Sequence, residues 1–197
     1  MAARAVRKNE PAGVEDATPN VLLGGLRGSG KSTIGPRLAE ALEHQFIDLD
    51  LVTLWRLRCA TVAEAWRELG VPRFRAAEVE GLAAALRSPE RVIAAGGGTP
   101  TAPGAPELIR THQQHGDVVV FYLRGDPETL RSRLAGSEND DNRPSLTGAD
   151  AIEEIDEVFR SRDPLYRDLA DEVIPIAGSA ADIVGVIQSC LRDRAQK

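Results

Sequence analysis

The stretch Gly25-Leu26-Arg27-Gly28-Ser29-Gly30-Lys31-Ser32 constrains this chain more than any other. It satisfies the spacing G-x-x-x-x-G-K-[ST] at every fixed position, and Thr33 follows it. The apolar run Val21-Leu22-Leu23 leads into the motif, and Leu38, Ala41 and Leu42 recur beyond it at helical spacing. A strand, a glycine-rich turn and a helix in that order form a cradle for phosphate. The glycines let successive backbone N–H groups turn inward, and the helix N-terminus adds its positive end. In such a cradle Lys31 reaches the β- and γ-phosphates of a nucleotide, and the Ser32 hydroxyl is a natural Mg²⁺ ligand.

The rest of the chain alternates in the same way. Helices are expected over 32–45, 61–68, 73–86, 106–115, 126–134, 150–160 and 180–194. Strands are expected at 21–23, 45–50, 91–95, 117–123 and 172–176. The run Val118-Val119-Val120-Phe121-Tyr122 suits a parallel strand covered on both faces. Five strands alternating with helices predict an α/β domain around a parallel sheet. A length of 197 residues supports one such domain. With aromatics at 4%, its core must be built from Leu, Val, Ile and Ala.

Residues 1–20, rich in Ala, Pro, Gly and charge, are expected to form a flexible tail ahead of a single domain at 21–197. The net charge of −6 argues against a nucleic-acid partner. No apolar run approaches the roughly 20 residues of a membrane span. Cys59 and Cys190 lie far apart and outside any metal-ligand spacing, which fits a reducing, cytoplasmic setting.

Beyond the cradle, several residues are candidates for chemistry. Asp48 and Asp50 close the second expected strand, where residues two apart share a face. There one carboxylate can orient metal-bound water while the other accepts a hydrogen bond or proton from an attacking hydroxyl. Arg75 and Glu78 are three apart on a helix. They form either a surface ion pair or an arginine held ready to grip a carboxylate. Gly96-Gly97-Gly98 ends a buried strand, either as a loose exit or as bare backbone pressed against a ligand. Arg143-Pro144 falls in the polar segment 136–148, a length that suits a lid. Arg160, Arg162 and Arg167 surround Asp163-Pro164-Leu165-Tyr166, as a solvated helix end or as a second clamp.

Taken in order, GLRGSGKSTIG (25–35), FIDLD (46–50), FRAAE (74–78), GGG (96–98), RP (143–144) and RSRDPLY (160–166) resemble the shikimate kinase family. The likeness covers most of residues 21–176. It implies a three-layer P-loop kinase fold with a five-stranded parallel sheet, a helical substrate-binding subdomain near 51–88 and a mobile lid near 136–148. It also implies a monomer that phosphorylates shikimate from ATP with Mg²⁺, a step toward aromatic amino acids.

The implied roles fall residue by residue. Gly28, Ser29, Gly30, Lys31, Ser32 and Thr33 would hold the phosphates, with Arg133 near the nucleotide and Arg143 closing from the lid. Ser32 and Asp48 would serve the metal, Asp48 through water. Asp50 would bind shikimate and act as general base. Arg75 and Arg162 would clamp its carboxylate beside Gly96, Gly97 and Gly98. Two other readings remain open: a kinase for another hydroxy acid such as gluconate, and a ligand-binding sensor of the same fold.

Overall fold

The computed structural model describes residues 18–135 and 154–196. Its centre is the strand β1 (Asn20–Gly24), whose five residues are all buried. Four more strands join it: β2 (Gln45–Asp48), β3 (Arg91–Ala94), β4 (Val118–Arg124) and β5 (Glu172–Pro175). The sheet is parallel throughout, in the order β2-β3-β1-β4-β5.

Strand side chains alternate between faces, and the core divides accordingly. Val21, Leu23, Val119 and Phe121 belong to one apolar cluster, and Leu22, Val118 and Val120 to another. The first cluster is covered by α1 (Lys31–Leu42) and α8 (Ala180–Ala195), and by α6 (Pro127–Ala135). The second is covered by α4 (Val71–Leu86) and α5 (Ala105–Gln114). Burial on both faces is what the unbroken Val-Val-Val-Phe-Tyr run of β4 requires.

Three helices follow β2 in succession: α2 (Leu49–Leu57), α3 (Val62–Leu69) and α4. They share a small core of Val62, Ala65 and Phe74. The helix α3 begins as its sequence predicts. Thr61 Oγ1 accepts from the Glu64 N–H, while the Glu64 carboxylate reaches back to the Ala60 N–H. The last helix before β5 is α7 (Ile155–Leu169).

Several boundaries differ from expectation, each for a local reason. Asn20 belongs to β1 rather than to a tail. It is buried, and its side chain accepts a hydrogen bond from the Arg91 N–H of β3. The helix α2 has no counterpart among the expected elements, because 51–60 lacks an apolar period. Its start is set by Asp48, which caps it. Pro72 opens α4 rather than delaying it, since a first-turn residue has no helical N–H bond to lose. The helix α7 runs nine residues past Arg160, with Pro164 inside it. The lid expected at 136–148 and residues 1–17 of the expected tail lie outside the described residues.

Candidate active site

The cradle forms at the carboxyl end of β1. Gly28 and Gly30 take φ of 77° and 93°, the left-handed region that favours glycine. Gly30 then caps α1 with no side-chain acceptor, so the helix N-terminus faces the turn. Lys31 lies back along the loop. Its Nζ donates to the carbonyls of Gly25 (2.6 Å) and Leu26 (3.1 Å) and to Ser29 Oγ (3.3 Å). Ser29 is fully buried, while Ser32 and Thr33 are exposed. Arg133 of α6 comes within 3.6 Å of where a Cβ on Gly30 would stand, and donates to the Ile176 carbonyl at 2.7 Å.

At the end of β2 the structure corrects the sequence geometry. Asp48 and Asp50 do not share a strand face, because the chain turns into α2 directly after Asp48. Its Oδ1 accepts from the N–H groups of Asp50 (2.9 Å) and Leu51 (3.3 Å). A carboxylate at this position offers an acceptor to open backbone donors, so the helix starts early. Asp50 is therefore a first-turn helical residue. Its carboxylate still enters the cleft, where a Cβ on Gly96 would collide with it.

That cleft holds about 700 Å³, open solvent at its mouth included, between the cradle, α3, α4, the triple glycine and α7. Arg75 and Glu78 meet there at 2.5 Å, with side chains only 15% and 2% exposed. The surface-pair alternative is thereby removed. Thr99, fully buried, donates to the other Glu78 oxygen at 2.7 Å. Burial pushes the Glu78 carboxyl above its usual range, against the opposing pull of Arg75 and the Thr99 hydrogen bond. The Arg75 guanidinium lies 5.8 Å from the Trp66 ring and 5.9 Å from that of Phe74.

The triple glycine has a steric cause. A Cβ on Gly96 would strike Asp50, Thr99 and Glu78, and one on Gly98 would strike the Arg75 guanidinium. Both glycines thus make room for charged side chains rather than loosening the strand exit. Gly98→Ala is accordingly expected to spare the fold, since the obstructing atoms end a flexible side chain. Steady-state kinetics should show the acceptor KM raised roughly tenfold and the ATP KM unchanged.

Opposite Arg75, the Arg162 guanidinium donates to the Gly97 carbonyl at 2.6 Å. Among the described residues no carboxylate forms a salt bridge with it. Burial presses its pKa below the usual guanidinium range, and the positive charge of Arg75 acts in the same direction. Two arginines converging on one pocket fit an anion between them. Of their neighbours in the sequence, Arg160 is exposed, and Arg167 pairs with Asp163 at 2.9 Å. Arg143 lies outside the described residues.

Several residues of the site had no sequence role: Arg27, Trp66 and Glu154, which line the cleft, and Thr99 and Tyr166, which bond to Glu78 and Gly97 behind it. Arg27 and Tyr166 stand inside the quoted motifs, and Thr99 directly follows the third glycine. Glu154, buried at the start of α7, and Trp66 carried no comparable signal.

A nucleotide cradle and a separate anion-accepting cleft, opening off neighbouring strand ends, define a P-loop kinase with a small-molecule acceptor. The family model described as shikimate kinase matches residues 27–192. The chain belongs to the shikimate kinase family. It is 37% identical to shikimate kinase 2 of Yersinia enterocolitica over 91% of this chain and 99% of that protein. Against shikimate kinase 2 of Dickeya chrysanthemi the identity is also 37%, over 89% and 97%. A solved shikimate kinase from Acinetobacter baumannii, in complex with shikimate, superposes with a TM-score of 0.81 and 29% identity. That match covers 91% of this chain and 96% of the other.

Proposed function

We propose that this chain transfers the γ-phosphate of ATP to the 3-hydroxyl of shikimate, giving shikimate 3-phosphate and ADP. The observation that carries the reading is the pair Arg75 and Arg162, facing one cleft that also holds Asp50. An acceptor with one carboxylate and several hydroxyls matches that set. The arginines hold its carboxylate, and Asp50 accepts a hydrogen bond from the reacting hydroxyl and takes its proton. The oxygen then bonds to the γ-phosphorus as the bond to the β-phosphate oxygen breaks, and ADP leaves. Lys31 neutralises charge on the transferring group, and Gly28–Thr33 hold the remaining phosphates. Arg133 and Arg143 complete the nucleotide side.

Magnesium accompanies the nucleotide in this scheme, and the donors present suit it. Ser32 offers an exposed hydroxyl. Asp48 commits one oxygen to capping α2, while its second accepts no protein hydrogen bond among the described residues. A few oxygen donors suit a hard cation that keeps its waters, and the cation would offset phosphate charge. Asp48 would act through such a water.

We propose a cytoplasmic monomer, the reducing compartment being the setting in which thiols stay free. Both cysteines are free thiols, and no helix among the described residues is long and apolar enough to cross a membrane. A coupled ADP-release assay with ATP, Mg²⁺ and a panel of hydroxy acids tests the acceptor. Turnover is expected with shikimate. Faster turnover with gluconate, or none with any acceptor while shikimate still binds, would replace this reading with one of the two alternatives.

A further inference from the structure

Arg162 reaches the cleft from the middle of α7, where the helix is locally weak. Pro164 lacks the N–H that would bond the Arg160 carbonyl, and its ring crowds that turn. Neighbouring helical residues point about 100° apart, so a modest rotation of this turn would carry the guanidinium out of the pocket. Something must fix the rotation.

Asp163 is placed to do so. It is 9% exposed and directed at the sheet. Its Oδ1 accepts from the Tyr122 hydroxyl at 2.9 Å and from Arg124 Nε at 2.7 Å, two residues on the same face of β4. Its Oδ2 accepts from Arg167 Nε at 2.9 Å, one turn along α7. Burial alone would raise the Asp163 pKa, but the hydrogen bonds from Arg124, Tyr122 and Arg167 outweigh it and hold the carboxyl below its usual range. Burial and the bond to Asp163 push Tyr122 the other way, so it remains a protonated donor.

The same helix is tied a second time, three residues further on. The Tyr166 ring lies 5.2 Å from the Tyr122 ring, tilted by 49°, and its hydroxyl donates to the Gly97 carbonyl at 2.8 Å. That carbonyl is the one Arg162 also uses. A closed circuit therefore runs from β4 through Asp163 to α7, across Arg162 and Tyr166 to Gly97, and back into the sheet.

We propose that Asp163, anchored on Tyr122 and Arg124 of β4, is a positioning residue for the acceptor: it sets the rotation of α7 that aims Arg162 into the cleft. This rests on the reading of Arg162 as a carboxylate clamp.

The test uses the full chain with Asp163→Ala, Asp163→Asn, Arg162→Ala, the Arg162→Ala/Asp163→Ala double variant and Tyr122→Phe. Acceptor KM, ATP KM, kcat and melting temperature are measured for each. Asp163→Ala is expected to raise the shikimate KM roughly tenfold and to change the ATP KM by less than about twofold. Asp163→Asn, which keeps an oxygen facing β4, should recover most of the loss. In the Arg162→Ala background, removing Asp163 should add no further rise, because it acts through the missing side chain.

Full additivity in the double variant would overturn the inference, as would equal rises in both KM values alongside a lower melting temperature. If Arg162→Ala leaves the shikimate KM unchanged, the clamp reading itself fails, which is a separate result. Should Asp163→Ala not fold, Tyr122→Phe carries the decision. A rise of about threefold in the shikimate KM alone supports the inference, and no rise overturns it.

Discussion

Lys31→Ala is expected to lower kcat by about a thousandfold with little change in melting temperature. Its Nζ donates to the loop that presents it, and the side chain is only half-buried, so its loss should cost the core little. Of the cradle's other polar groups, the backbone N–H groups and the hydroxyls of Ser29, Ser32 and Thr33 carry no charge, and the charged Arg27 lines the acceptor cleft. Arg133 approaches Gly30, yet its guanidinium is engaged with the Ile176 carbonyl and belongs to another helix. Charge that builds on the transferring phosphoryl group would therefore lose its nearest compensation. Single-turnover measurements at saturating ATP isolate the chemical step. A variant that keeps more than about a tenth of the rate would remove Lys31 from the catalytic set.

Arg75→Ala is expected to raise the shikimate KM about a hundredfold while leaving that for ATP nearly unchanged. It should also destabilise the fold by about 3–5 kcal/mol, because Glu78 would stay buried without its partner. The two effects separate in a double variant. Adding Glu78→Gln removes the stranded charge and should restore much of the melting temperature, yet it supplies no new grip on a carboxylate. Stability should return while the KM stays high. A KM that recovers with stability, or equal changes for both substrates, would mean that Arg75 serves the fold rather than the acceptor.

How much of this was legible in sequence depended on how far the determining contacts reach. The cradle was fully legible, because eight consecutive residues contain both the turn and its chemistry. The strand β4 was legible from its composition, but the partner of Tyr122 lies 41 residues away in α7. The spacing of Arg75 and Glu78 announced a pair. Whether that pair was buried depended on Thr99 and on the triple glycine, which come from another strand exit. The helix α2 was missed because its apolar positions follow no clear period. What starts it is the Asp48 side chain, whose carboxylate sequence reasoning assigned to metal chemistry alone. Pro164 argues for a helix end near Arg160, yet α7 continues because Asp163 and Tyr166 pin it to β4 and to Gly97.

The cradle hangs from the end of β1 and the triple glycine from the end of β3, and these strands are hydrogen-bonded neighbours. Adjacent strands lie about 4.8 Å apart. The span between donor and acceptor is thus ruled by backbone bonds in the most buried part of the molecule. The helices α2, α3 and α4, which on the proposed reading serve the acceptor, are inserted after β2, outside that gauge. A descendant of this chain can exchange them for a different hydroxy acid while inheriting both the donor half and the distance across which the phosphoryl group travels.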